Sequence, residues 1–138
     1  MTTDAGTPRD FHSVLANMIS LGASDLHLKV GAPPTMRIDG MLFGIDEPRC
    51  SPADIEGLME QLLPPDRRLQ FAEELECDVA VSISGLARFR VNLCCQRGTV
   101  GVSFRLVPTT VPALEELSLP PLLGQLAEEQ RGLILVTG

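Results

Sequence analysis

The residues with the greatest chemical reach in this chain are arginines on what reads as a β-hairpin. In Arg88-Phe89-Arg90-Val91-Asn92-Leu93, the apolar residues Phe89, Val91 and Leu93 share one face, and Arg88, Arg90 and Asn92 share the other. Val102, Phe104 and Leu106 alternate in the same way with Ser103 and Arg105. A turn centred on Arg97-Gly98 pairs Gln96 with Thr99, and counting back from it places Arg90 directly opposite Arg105. Like charges facing each other across a ladder cost about 0.2–1 kcal/mol. An anion held between them offsets that cost, and the planar guanidinium fork suits phosphate through paired, charge-assisted hydrogen bonds. Two readings are open at this point. One is an anion clamp on a rigid hairpin. The other is a pair of solvated surface arginines near some of the chain's 18 acidic residues.

The remaining candidates carry weaker signals. His27 lies between Asp25 and Lys29 on the polar side of an alternating segment, and reads as solvated or hydrogen-bonded to a neighbour such as Asp25. His12, near the start of a helix, carries no signal. Glu73-Glu74 with Glu76-Cys77-Asp78 forms a dense acidic patch, which reads as a helix end and solvated face rather than a paired-carboxylate site. No Ser/His/Asp or Cys/His arrangement is evident. Cys50, Cys77, Cys94 and Cys95 contain no C-x-x-C pair, and adjacent strand residues such as Cys94 and Cys95 point to opposite faces. They read as small, reduced, buried hydrophobes, and no metal site is expected. The unbroken apolar run Leu133-Ile134-Leu135-Val136 suits a strand buried on both faces, and it leads into Thr137-Gly138. A strand running into a glycine is how a phosphate-binding loop begins, but the remaining residues of such a loop are not in the sequence.

The elements that position these residues can be read from periodicity. Residues 1–9 are polar, with a proline, and read as a disordered tail. Phe11, Val14, Leu15, Met18 and Ile19 recur at helical spacing between an Asp10 cap and Gly22. Leu26, Leu28 and Val30 alternate with Asp25, His27 and Lys29 as a half-buried strand, the polar three facing out. Asp39-Gly40 is a favoured hairpin turn, flanked by Met36, Ile38, Leu42 and Ile45. Ser51-Pro52-Ala53-Asp54 opens a second helix with Ile55, Leu58, Met59 and Leu62 inward. Pro64-Pro65 ends it, and a third helix over about 66–75 is expected to bury Leu69, Ala72 and Leu75. Strands are expected at 77–83, 87–96 and 100–107, a helical turn at 114–117 and a short helix at 122–129. This irregular order predicts an α+β fold, an antiparallel sheet with helices packed on one side.

Composition narrows the function classes. At 138 residues the chain suits one core rather than two, and with no Trp or Tyr that core must be mostly aliphatic. A net charge of −7 argues against a nucleic-acid backbone as partner. No apolar run approaches a membrane span, and the start of the chain has no signal-peptide pattern, so the cytoplasm is the expected compartment.

Four blocks in order carry a family resemblance: Ala23-Ser24-Asp25-Leu26-His27; Gly31-Ala32-Pro33-Pro34 with Arg37-Ile38-Asp39-Gly40; Gly85-Leu86-Ala87-Arg88-Phe89-Arg90-Val91-Asn92; and Arg131 to Gly138. Together they resemble the N-terminal domain of the type IV pilus retraction ATPases, within the secretion ATPase superfamily. The resemblance runs from about Phe11 to the last residue, and the block at 85–92 with Glu76-Cys77-Asp78 points to the retraction branch and its PilU-like paralogues.

The resemblance implies a PAS-like domain over 10–107, a linker with short helices over 108–130, and the first strand of a RecA-like ATPase domain over 131–138. It implies a homohexameric motor for pilus disassembly and twitching motility, peripheral at the inner membrane through a pilus platform protein. The domain would pack on the RecA-like domain of its own chain and of the neighbouring subunit. Arg90 and Arg105 match the arginines with which such domains reach the phosphates of ATP, and this favours the clamp over solvated arginines. Gly138 matches the first residue of the phosphate loop; Arg88, Arg97 and Thr137 are weaker phosphate candidates. ATP and Mg²⁺ are implied for the full-length protein. No catalytic residue is expected in these 138 residues, and they are not expected to turn over ATP alone. The alternatives are a PAS-like ligand-sensing or protein-interaction module, and the corresponding domain of a pilus extension or type II secretion ATPase.

Overall fold

The computed structural model describes residues 9–138, which fall into two units divided between Val107 and Pro108. The tail expected at 1–9 lies outside the described residues except for Arg9. That residue is not frayed: its guanidinium pairs with Glu47 and donates to the Pro48 carbonyl, and its backbone N–H reaches Asp54.

The first unit is an antiparallel six-stranded sheet with helices on one face. Helix α1 (Phe11–Ser20) starts where Asp10 accepts from the N–H groups of His12 and Ser13, and it buries Phe11, Val14, Leu15 and Met18. Strands β1 (Asp25–Lys29), β2 (Thr35–Ile38) and β3 (Met41–Gly44) follow. Helix α2 (Pro52–Leu62) opens on a capping box, Ser51 and Asp54 each holding the other's backbone N–H. Helix α3 (Pro65–Glu74) precedes β4 (Glu76–Ile83), β5 (Ala87–Gln96) and β6 (Thr99–Val107). The strand order is β3-β2-β1-β6-β5-β4, so the first strand lies beside the last.

Local rules account for both tight hairpins. Asp39 and Gly40 have φ of 48° and 81°, and Arg97 and Gly98 have 53° and 72°. Two consecutive positive φ values make a type I′ turn, whose twist matches that of the flanking strands. The second turn sets the β5–β6 register as expected, Gln96 opposite Thr99 and Arg90 opposite Arg105.

The inward side chains form one apolar layer. Leu26, Phe89, Val91 and Leu93 are fully buried, with Leu28, Val102 and Phe104 nearly so, packed with Ile55, Leu58 and the buried face of α1. Phe89 and Phe104 meet edge to face at 6.0 Å, a favoured aromatic geometry. Helix α3 departs from expectation. Phe71 is its buried residue, while Leu69, Ala72 and Leu75 are exposed. Leu69 and Phe71 are two positions apart and point to different sides of a helix, so burying the larger ring turns Leu69 to solvent.

The second unit, Pro108–Gly138, holds a 3₁₀ turn at Leu114–Leu117 and α4 (Leu122–Ala127). The strand expected at Leu133–Val136 is absent: these residues have no regular structure and are exposed by 50–89%. A strand requires a neighbour to take its backbone hydrogen bonds, and no other segment of this unit is a strand.

Candidate functional site: an arginine-bearing polar face

The face of the sheet opposite the helices carries the chemistry. The register across β2, β1, β6, β5 and β4 places Arg37, Asp25, Arg105, Arg90 and Ala80 in one row. The next row on the same face is Thr35, His27, Ser103, Asn92 and Asp78. Two rows of side chains from five strands thus form a polar floor, with a cavity of about 270 Å³ over Asp25, His27, Asp78, Arg90, Asn92, Ser103 and Arg105.

The two arginines singled out first are brought together on this floor, directly opposite each other. Arg88 is on the same face of β5, one row further along, opposite Val107. Arg97 is not part of the group. It sits in the type I′ turn, seven residues from Arg90, roughly 23 Å along an extended strand. Thr137 and Gly138 belong to the second unit and are exposed.

The structure adds a residue that periodicity assigned to solvent. Asp25 is buried, at 6% exposure. Its Oδ1 accepts from Arg105 Nε at 2.8 Å and its Oδ2 from Ser24 Oγ at 2.8 Å, with Arg37 Nε 3.7 Å away. The error has a clear cause: alternation puts Asp25 on the polar face, but a polar face is not solvated where cations from the adjacent strands cover it. Burial pushes the Asp25 carboxyl up, yet hydrogen bonds from Arg105 and Ser24 and the charge of Arg105 outweigh it and hold the group below its ordinary value. Asp25 thus offsets part of the Arg105 charge, from the side away from Arg90. Arg90 itself has no ion-pair partner among the described residues.

His27 bonds through Nδ1 to Ser103 Oγ at 3.0 Å, rather than to Asp25. Its Nε2 is buried and has no partner among the described residues. Burial lowers the imidazole's affinity for a proton, the Asp25 charge opposes this, and the Arg37 and Arg105 charges reinforce it, leaving a net downward shift. Neutral imidazole is favoured. Asn92 Nδ2 lies 3.3 Å from both Glu76 Oε1 and Asp78 Oδ1. The acidic stretch is therefore split: Glu73 and Glu74 end α3, while Glu76 and Asp78 project from β4 at the edge of the polar floor. The floor is cationic across Arg88, Arg90, Arg105 and Arg37, and acidic at its β4 margin.

The cysteines take no part in this arrangement as a group. Cys50 and Cys77 are buried, Cys94 and Cys95 are half-buried, and all four are free thiols. Among the described residues no three His, Cys, Asp or Glu side chains gather as a metal site, and no helix is long and apolar enough to cross a membrane.

No family model matches the chain. Individual proteins do. Over 129 residues, 94% of the chain, it is 36% identical to the type IV pilus ATPase PilU of Pseudomonas aeruginosa and 37% identical to the pilus retraction ATPase PilT of the same organism. A Neisseria gonorrhoeae twitching motility protein is 35% identical over 76% of the chain. The chain spans about a third of the length of the first two, 34% and 38%. A crystal structure of the pilus retraction motor PilT with bound ADP superposes with a TM-score of 0.71 at 35% identity, covering 85% of this chain and 34% of that one. The Legionella pneumophila ATPase DotB shares the fold with a TM-score of 0.73, at 24% identity over 95% of this chain and 38% of its own. By sequence over nearly all of its length and by fold, the chain belongs to the PilT/PilU-like family of type IV pilus ATPases.

Proposed function

We propose that the chain is the N-terminal domain of a pilus retraction ATPase and that Arg90 and Arg105 bind the phosphates of ATP. The observation that supports this most strongly is the placement of two guanidinium groups opposite each other on adjacent strands, with Arg90 lacking any ion-pair partner among the described residues. Opposed cations of this kind favour a polyanion over them. The strands holding them are paired on both sides, so the donors are pre-aimed and little reorganisation accompanies charge development.

In this reading the nucleotide lies between the polar floor and a RecA-like domain that follows in the chain. Gly138 begins the phosphate loop, with Thr137 before it, and Arg88 is a weaker phosphate candidate on the polar floor. Mg²⁺ would accompany the nucleotide, held by residues of that following domain. The domain packs against the ATPase domain of the neighbouring subunit in a homohexamer, working in the cytoplasm at a pilus platform protein of the inner membrane, to disassemble pili in twitching motility. The relatives that are PilT and PilU ATPases favour retraction over extension or secretion.

The test is ATP turnover of the full-length protein carrying Arg90→Ala or Arg105→Ala. Each is expected to lower turnover by about 10²-fold, as loss of a charge-stabilising donor does. Unchanged turnover in both variants ends the phosphate-clamp reading.

A further inference from the structure

The two opposed arginines are not equivalent, and the difference lies in Asp25. We infer that Asp25 is a positioning residue that aims Arg105 at the bound phosphate. This rests on the phosphate-clamp reading and extends it. The Asp25 side chain is 8% exposed, whereas that of Arg105 is 70% exposed. The carboxylate is therefore the fixed partner and the guanidinium the held one.

Three contacts fix the carboxylate. Its strand is paired on both sides, with Arg37 and with Arg105. The Ser24 hydroxyl donates to Oδ2 at 2.8 Å, and Arg37 Nε stands 3.7 Å from the same oxygen. That leaves Oδ1 for Arg105, which it engages through Nε alone, at 2.8 Å.

The choice of nitrogen matters. A guanidinium presents five N–H groups in a rigid fork. Engaging Nε orients the plane and leaves both terminal nitrogens free, and neither has a hydrogen-bond partner among the described residues. Asp25 thus stops Arg105 from swinging without consuming the donors that face an anion. It also lowers the net charge of the opposed pair, so the two arginines can stand across the ladder before nucleotide arrives. Arg90 has no such brace among the described residues.

The experiment is a double-mutant cycle on ATP turnover of the full-length protein, with Asp25→Asn, Arg105→Ala and the double variant. Asp25→Asn keeps the shape and removes the charge; alone it is expected to lower turnover about tenfold through misplacement of Arg105. In the Arg105→Ala background the same change is expected to alter turnover by less than about twofold, since the group it positions is gone. A merely structural aspartate lowers turnover equally in both backgrounds, and that result overturns the inference while leaving the clamp intact. No effect of Asp25→Asn in the wild-type background also overturns it. No effect of Arg105→Ala removes Arg105 from the clamp and this inference with it. Arg105→Lys guards against misfolding because it keeps Asp25 paired. It is expected to lose most of the turnover, since an ammonium paired with Asp25 presents no fork, and wild-type turnover in that variant overturns the inference.

Discussion

The sheet's two faces are built by the same strands and obey different rules. On the helix-covered face Phe89, Val91, Leu93, Val102 and Phe104 meet the helices as a closed apolar layer. That face is non-directional: any set of apolar residues with the right volume and alternation would hold the layers together. On the other face Asp25, Arg105 and Arg90 come from β1, β6 and β5, and their value depends on which residue stands opposite which. Stability is concentrated on the first face. The second carries a like-charge pair that Asp25 offsets only in part and a buried imidazole nitrogen without a partner among the described residues, both of which cost stability. A region that costs stability where it could have been neutral is a region shaped by something other than folding.

The contrast can be broken most directly by emptying the apolar face. Phe104→Ala is expected to destabilise the first unit by about 3–5 kcal/mol, since its ring is buried and in edge-to-face contact with Phe89. Denaturant unfolding of the chain checks this, and a loss below 1 kcal/mol would mean the layer collapses around the gap. A smaller effect is expected at the turn between β5 and β6. Gly98→Ala places a side chain at φ of 72° in the turn that sets the Arg90–Arg105 register, at a cost of about 1–2 kcal/mol.

On the polar face the sign should reverse. Arg90→Ala is expected to leave stability unchanged or raise it by up to about 1 kcal/mol, because it removes the opposed charge, while ATP turnover of the full-length protein falls. A clear loss of stability in that variant would mean Arg90 has an intramolecular role and the comparison fails.

The smallest effect is a slope with pH. His27 has a folded-state pKa below its unfolded value, so the unfolded chain binds more protons and stability falls as pH drops below about 6.5 toward the folded value. Asp25 is also depressed when folded; its contribution is present above about 3.9 and is lost as pH falls through the folded value. Unfolding measured from pH 8 to 3 should show both losses in the acid direction. His27→Gln should flatten the upper one.

Much of the architecture was legible because the signals are local. Asp10, the Ser51–Asp54 box and the Asp39-Gly40 and Arg97-Gly98 turns each act within a few residues, and the structure places helix starts and hairpin turns there. The Arg90–Arg105 register was readable for the same reason, being counted from one turn. The inward face of α3 was misread because the spacing of Leu69, Ala72 and Leu75 competes with the single larger ring of Phe71, and packing rather than periodicity decides between them. Leu133–Val136 forms no strand here because an apolar run specifies only a capacity for pairing, and no other segment of its unit is a strand.

The amino-acid order alone determined which residues alternate, where the chain turns and which arginines face each other across one hairpin. All of these depend on interactions between near neighbours in sequence. It could not reveal that Asp25 lies against Arg105, eighty residues away, or that His27 bonds to Ser103 rather than to Asp25. Those contacts exist because β1 inserts between β2 and β6. That choice of neighbour is made by burying Leu26 and Leu28 with Phe104 and Val102 on the opposite face. The apolar layer selects the strand order, and the polar residues on the reverse of the same strands are brought together as a consequence.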